Sequence, residues 1–200
     1  MSGLRERKKQ ATREALSWAA LRLSVERGVE NVLVEDIAND AGVSPRTFNN
    51  YFASKYEAIT WREFNRAMQI GDLLRARPEG ESLWQGITES ILAVYHAQMP
   101  EGERDPAPGW VEGVRRMTQN PQVIGEMLRG YQAVQNELAA AIGERLGTDD
   151  DLYPQIVAGA VLSAVRVVQS RWIAADPPVP FGPLLRTALR KLTEMQGESP

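Results

Sequence analysis

Arg46, Thr47, Asn49 and Asn50 stand close together in the run SPRTFNNYFASK, residues 44 to 55. Their chemistry is hydrogen bonding, without a nucleophile or a general acid or base. A guanidinium can donate bidentately to guanine and a carboxamide can pair with adenine, while hydroxyls such as those of Thr47 and Tyr51, and the Lys55 ammonium, suit phosphate oxygens. Phe48 and Phe52 fall four apart in the same run. A helix drawn through it therefore turns two rings, with Val43, toward a small core and leaves the polar groups largely on other faces. Those polar groups suit a DNA groove.

The flanking residues supply the elements that must hold such a helix. Ser44 can accept an N–H bond as N-cap while Pro45 takes the first helical position, where a missing N–H costs nothing. Upstream, Val34, Ile37, Ala38 and Ala41 recur at helical spacing until Gly42, whose freedom at positive φ suits a helix C-terminus. Two short helices joined by a three-residue turn containing Gly match a helix-turn-helix. Further upstream, Leu16, Ala19, Ala20 and Leu23 predict a first helix from about Lys8 to Arg27, followed by Gly28. Downstream, Ser54-Lys55-Tyr56-Glu57 has the form of a capping box and predicts a fourth helix running to about Arg77, before Pro78 and Gly80. Residues 8 to 53 thus form a three-helix unit.

Charge is distributed in keeping with this. The 200 residues carry a net charge of −3, yet residues 1–66 hold eleven Lys/Arg against nine Asp/Glu and the remainder twelve against seventeen. Within residues 1–13, Arg5, Arg7, Lys8, Lys9 and Arg13 face only Glu6. Attraction to a polyanion belongs at this end, and Lys8 and Lys9 are its candidate phosphate contacts. With 43% apolar residues the chain can bury a sizeable core. It has no Cys, which removes disulfides and thiolate chemistry. No uninterrupted apolar run of about 18 residues and no leader at Met1 are evident, so a cytoplasmic protein with no membrane partner is expected.

The rest of the chain also reads as helical. Segments are predicted around Leu83 to Tyr95, Trp110 to Thr118, Pro121 to Leu146, Leu152 to Ala174, and beyond Pro183, with a surface loop at PEGERDPAPG, residues 100 to 109. No strand signal competes. The acidic run Asp149 to Asp151 reads as a lead into the following helix, complementing its dipole, and no metal is expected. One His, no Cys, no Glu-x-x-His pair and no glycine-rich phosphate loop argue against an enzyme and against a cofactor.

The run LVEDIANDAGVSPRTFNNYFASKYEAI, residues 33 to 59, with a basic helix ahead of it, resembles the DNA-binding domain of the TetR family of transcriptional regulators. The pattern is a D-I-A helix, an A-G-V-S turn, T-F in an aromatic-rich recognition helix, and then S-K. The resemblance implies an all-α fold: a helix-turn-helix domain over residues 1–53 and, over residues 54–200, a helical bundle for effector binding and dimerisation. It implies a homodimer on a double-stranded DNA operator, acting as a repressor. Carried over by position, it makes Ser44, Arg46, Thr47, Asn50, Tyr51 and Lys55 the DNA contacts. Two positions depart from the pattern. Leu33 stands where a Thr usually caps the second helix, and Asn49 stands where an aromatic usually follows T-F, which makes Asn49 a further hydrogen-bonding candidate.

Two surfaces are expected in the bundle. The segment Leu152 to Ala174 is apolar on more than one side and rich in small residues, which predicts self-association through Ala160, Ala164, Val168 and Trp172. With Leu185 and Leu189 of the last helix these resemble the family's four-helix dimer interface. Trp61, Phe64, Met68, Trp84, Tyr95, Met99, Trp110, Met117, Met127 and Tyr131 form an adaptable aromatic and Met inventory between the fourth and seventh helices. Most must be core, yet such a lining can accept a small apolar effector that releases the repressor from its operator; the alternative is a ligand-independent dimeric DNA-binding or helical adaptor protein. His96, the sole histidine, reads as a helix-end residue near solvent.

Overall fold

The stripe Leu16, Ala19, Ala20 and Leu23 builds α1 (Ser2–Arg27), which starts well before Lys8. In the computed structural model, residues 2–96, 108–175 and 179–195 are described. After α1 a 3-10 turn, Val29–Asn31, leads to α2 (Val34–Asp40), α3 (Pro45–Asn49), α4 (Lys55–Ala67), α5 (Gln69–Arg75) and α6 (Leu83–His96). Then come α7 (Pro108–Met117), α8 (Pro121–Leu146), α9 (Leu152–Ala174) and α10 (Phe181–Met195). No strand occurs among the described residues. The fourth predicted helix is divided into α4 and α5 at Met68, which keeps helical dihedrals (φ −59°, ψ −26°). Met99 and most of the predicted 100–109 loop lie outside the described residues, as does the side chain of His96.

The chain divides into two compact units, one taking in the residues up to Phe64 with α7 and α8 as far as Gly130, the other the remainder. That division does not coincide with the 53/54 boundary expected from sequence. The first unit is centred on Leu16, Leu23, Ile37 and Phe48, all shielded from solvent, with Met117 of α7 and Val123 of α8 in the same cluster. Here α7 lies against α1 at Gly113, where any Cβ would collide with the Val25 carbonyl. Similarly, the Phe64 ring occupies the space a side chain on Gly130 would need.

The second unit packs α10 against α9 and α6, and α5 against α6, around Leu74, Ile87, Ile91, Leu138, Ile142 and Val161. Polar ties surround this core. Arg75 of α5 pairs with Glu137 and Glu144 of α8, and Arg145 donates to the carbonyls of Pro78 at 2.6 Å and Glu81 at 2.8 Å, closing the turn between α5 and α6. By length and composition α9 could cross a membrane, which qualifies the expectation of no such segment. Its Val157, Val161, Val165 and Val168 are instead buried in the core of this unit.

Candidate nucleic-acid interface

The turn before α3 is shaped by Gly42, at φ 69°, and by the Val43 N–H donating to the Ala38 carbonyl at 2.9 Å. A side chain at that φ would be strained, which is why Gly stands there. Ser44 then caps α3 as expected: its Oγ accepts the Thr47 N–H at 3.1 Å, and the two hydroxyls meet at 2.9 Å. Pro45 takes the first helical position. Phe48 is wholly buried and Phe52 nearly so, their ring centroids 5.8 Å apart, with Trp61 edge-on to Phe52 at 6.0 Å. The underside of the helix is therefore fixed, and Arg46, Asn49 and Asn50 are exposed on the other side. Thr47 and Tyr51 are half-buried at its flanks.

Arg13, counted from sequence among the basic residues of the arm, turns inward. Its guanidinium lies 5.2 Å from the Phe52 ring centroid and 4.9 Å from that of Trp61, and 3.7 Å from Glu57. Lys8 and Lys9 are exposed on the early turns of α1, where Lys9 makes a long 3.9 Å approach to Glu6. Glu57 also accepts the Ala53 N–H at 2.8 Å while Ser54 Oγ accepts the Glu57 N–H at 3.0 Å, so the expected cap of α4 forms, one residue wider than a reciprocal box.

Lys55 is held from within the head. Its ammonium is half-buried and donates to the backbone carbonyls of Val29 and Val32, both at 2.7 Å. These carbonyl oxygens take up donors that the sequence assigned to a DNA phosphate. At Leu33 the loss of a hydroxyl cap is partly made good, because Asp36 accepts the Leu33 N–H at 2.8 Å. Ser17 was missed altogether. Its buried hydroxyl donates to the Ala58 carbonyl at 2.7 Å and accepts the Arg62 N–H at 3.2 Å, so it ties the middle of α1 to the first turns of α4. The available signal was a serine on the flank of the α1 apolar stripe.

The other candidate residues divide. Met117 is buried in the first unit's core, with Trp61, Trp110 and Met127 packed against it. Trp84 and Tyr95 are buried in the second unit's core, Met68 is half-buried, and half-buried Tyr131 donates to Gln169 at 3.1 Å, which in turn donates to the Tyr95 hydroxyl at 3.0 Å. Of the residues expected at a dimer surface, Val168, Leu185 and Leu189 are instead buried inside the single chain, because α10 is amphipathic and turns its i, i+4 leucines onto α6 and α9. Trp172 packs edge-on to Phe181 at 5.7 Å. Ala160 and Ala164 are half-buried, and the exposed stripe of α9 runs instead through Leu152, Ile156, Ser163 and Val167.

With this geometry in hand, the comparison with known proteins decides the family. The family model described as bacterial regulatory proteins, tetR family, matches residues 18–57, and that of the MftR C-terminal domain matches residues 81–196. The HTH-type transcriptional regulator TcmR of Streptomyces glaucescens is 32% identical over 85% of this chain and 76% of its own. The chain belongs to the TetR family. As such it is a DNA-binding transcriptional regulator with an N-terminal helix-turn-helix and a C-terminal helical domain. Solved TetR-like structures share the fold. SmeT, the repressor of the Stenotrophomonas maltophilia multidrug efflux pump SmeDEF, superposes with a TM-score of 0.60 at 15% identity, over 92% of this chain and 89% of that one. Thermus thermophilus FadR, a TetR-family repressor solved with lauroyl-CoA, gives 0.53 at 20% identity over 91% and 93%.

Proposed function

We propose that this TetR-family regulator is a homodimeric repressor that reads its operator with Arg46, Asn49 and Asn50 and leaves it when a small, largely apolar effector binds the C-terminal bundle. The observation that carries the reading is α3 itself: Phe48 fully buried beneath it, and three side chains with base-edge chemistry exposed on the opposite side. Two such helices in a dimer would enter successive major grooves about 34–36 Å apart. Ser44, Thr47 and Tyr51 border the recognition face, and Lys8 and Lys9 supply phosphate attraction. Its site of action is the cytoplasm. We assign the partner surface to the exposed α9 stripe, with Ala160 and Ala164 admitting close approach of the two copies.

The effector half of the reading is supported by Trp84, whose buried indole N–H has no hydrogen-bond partner among the described residues. A buried donor left unpaired costs about 1–3 kcal/mol, and an acceptor oxygen on a bound molecule would remove that cost. Effector binding that favours a DNA-incompetent state by about 1–3 kcal/mol loosens operator affinity about 5- to 150-fold. A second reading has its own support: Tyr95, Gln169 and Tyr131 already satisfy one another, as they would in a bundle that fills itself and serves only to dimerise. In vitro selection of bound duplexes, followed by melting of the protein with a panel of apolar and amphiphilic small molecules, tests both halves. Failure to enrich any duplex ends the repressor reading. A melting temperature that no compound raises, in a protein that does bind its selected duplex, leaves the ligand-independent form.

A further inference from the structure

The 3-10 turn Val29–Asn31, through which α1 passes the chain to α2, is held from two directions. From α4, the Lys55 ammonium reaches the carbonyls of Val29 and Val32 and lies 5.4 Å from the Tyr56 ring centroid. From the start of α8, the Asn120 carboxamide donates to Glu30 Oε1 at 2.7 Å, while its carbonyl oxygen accepts the N–H groups of Gln122 and Val123 at 3.0 and 3.2 Å. One side chain thus caps α8 with its oxygen and grips the turn with its nitrogen. The carboxyl of Glu30 is held below its usual range by its own backbone N–H, by Asn120 and by the Lys55 charge, so it accepts as a carboxylate near neutral pH.

What the turn controls follows from its neighbours. Val29 and Val32 are buried, and Val32 is followed directly by Leu33, the N-cap of α2. Through Ile37, Ala38 and the Val43-to-Ala38 hydrogen bond, α2 sets the position of α3. We propose that Lys55 and Asn120 are positioning residues for the recognition helix: they clamp the turn that leads into α2, and Lys55 acts on backbone carbonyls rather than on a DNA phosphate. The proposal rests on the reading of α2 and α3 as the DNA-binding pair.

Lys55→Met keeps the aliphatic stem and removes the donors; Asn120→Ser keeps a capping oxygen and gives up the reach to Glu30. Each full-length variant is titrated, well below its melting temperature, against the duplex selected by the wild type and against a random duplex of equal length, at several salt concentrations. The expected result for Lys55→Met is a fall of about tenfold or more in preference for the selected duplex, the scale of lost charge-assisted hydrogen bonds, with the salt slope unchanged. Asn120→Ser moves preference in the same direction. A slope shallower by about 0.9, with equal losses on both duplexes, would make Lys55 a phosphate ligand and overturn the proposal. Unchanged preference overturns it too. Amide hydrogen exchange over Val29 to Ile37 judges the clamp without DNA: faster exchange in both variants supports it, and wild-type rates refute it even if no duplex is ever bound.

Discussion

At the scale of single residues, the head separates the groups proposed to read DNA from groups that hold the fold. Arg46, Asn49 and Asn50 are exposed, and nothing in the α3 fold depends on their side chains. Arg46→Ala or Asn50→Ala should weaken binding to the selected duplex by about 1–3 kcal/mol and relax preference at one base position, with melting unchanged. A variant whose selected sequence is the same as the wild type's would remove that residue from the reading set. Ser17 is the opposite case. Replacing it by Ala removes both hydrogen bonds and leaves a small void between α1 and α4, so Ser17→Ala should destabilise by about 1–2 kcal/mol in chemical denaturation. Both its spacing and its polarity were visible in the chain; its two partners, more than forty positions away, were not.

Among the elements, α2 carries the clearest defect. Its N-cap is Leu33, exposed and without a side-chain acceptor, and only Asp36 reaches back to the Leu33 N–H. Leu33→Thr supplies the missing oxygen and should stabilise the head by about 0.5–1 kcal/mol, read as a higher midpoint in denaturant. A lowered midpoint would mean that the leucine side chain contributes packing the cap cannot replace. Helix boundaries were largely legible because caps are local: Ser44-Pro45 before α3, Gly28 after α1 and Gly42 after α2 act within a few residues. The interruption between α4 and α5 was not, since Met68 is an ordinary helix former.

For the whole molecule, two predictions concern surfaces and charge. Val167 is 55% exposed on the outward stripe of α9, so Val167→Arg should leave the single chain folded while shifting it from dimer to monomer in sedimentation equilibrium. A dimer that persists would move the interface away from the α9 stripe. The charge network of α5, the turn that follows it and α8 is the second. Glu144 is held below its usual 4.5 chiefly by hydrogen bonds from Arg75, and Glu81 by those from Arg77. Carboxyls depressed in the folded state add stability above their unfolded values and lose it as pH falls through the folded ones, so the melting temperature should drop below about pH 4.5. Arg75→Gln should make that drop shallower.

The order of helices, the helix-turn-helix and the chemistry of α3 were determined by the sequence alone, because caps, turn glycines and apolar spacing act over one or two helical turns. Only the tertiary structure decided where long side chains go. Lys55 and Arg13 look alike in sequence as free cations of a DNA-binding head, yet each finds partners in another element, carbonyls for one and aromatic rings for the other. Likewise, Leu185 and Leu189 belong to a face that the α10 periodicity defines but does not aim, and burial against α6 and α9 inside one chain settled it. Periodicity tells which residues share a side of a helix; what that side meets depends on contacts between segments far apart in the chain.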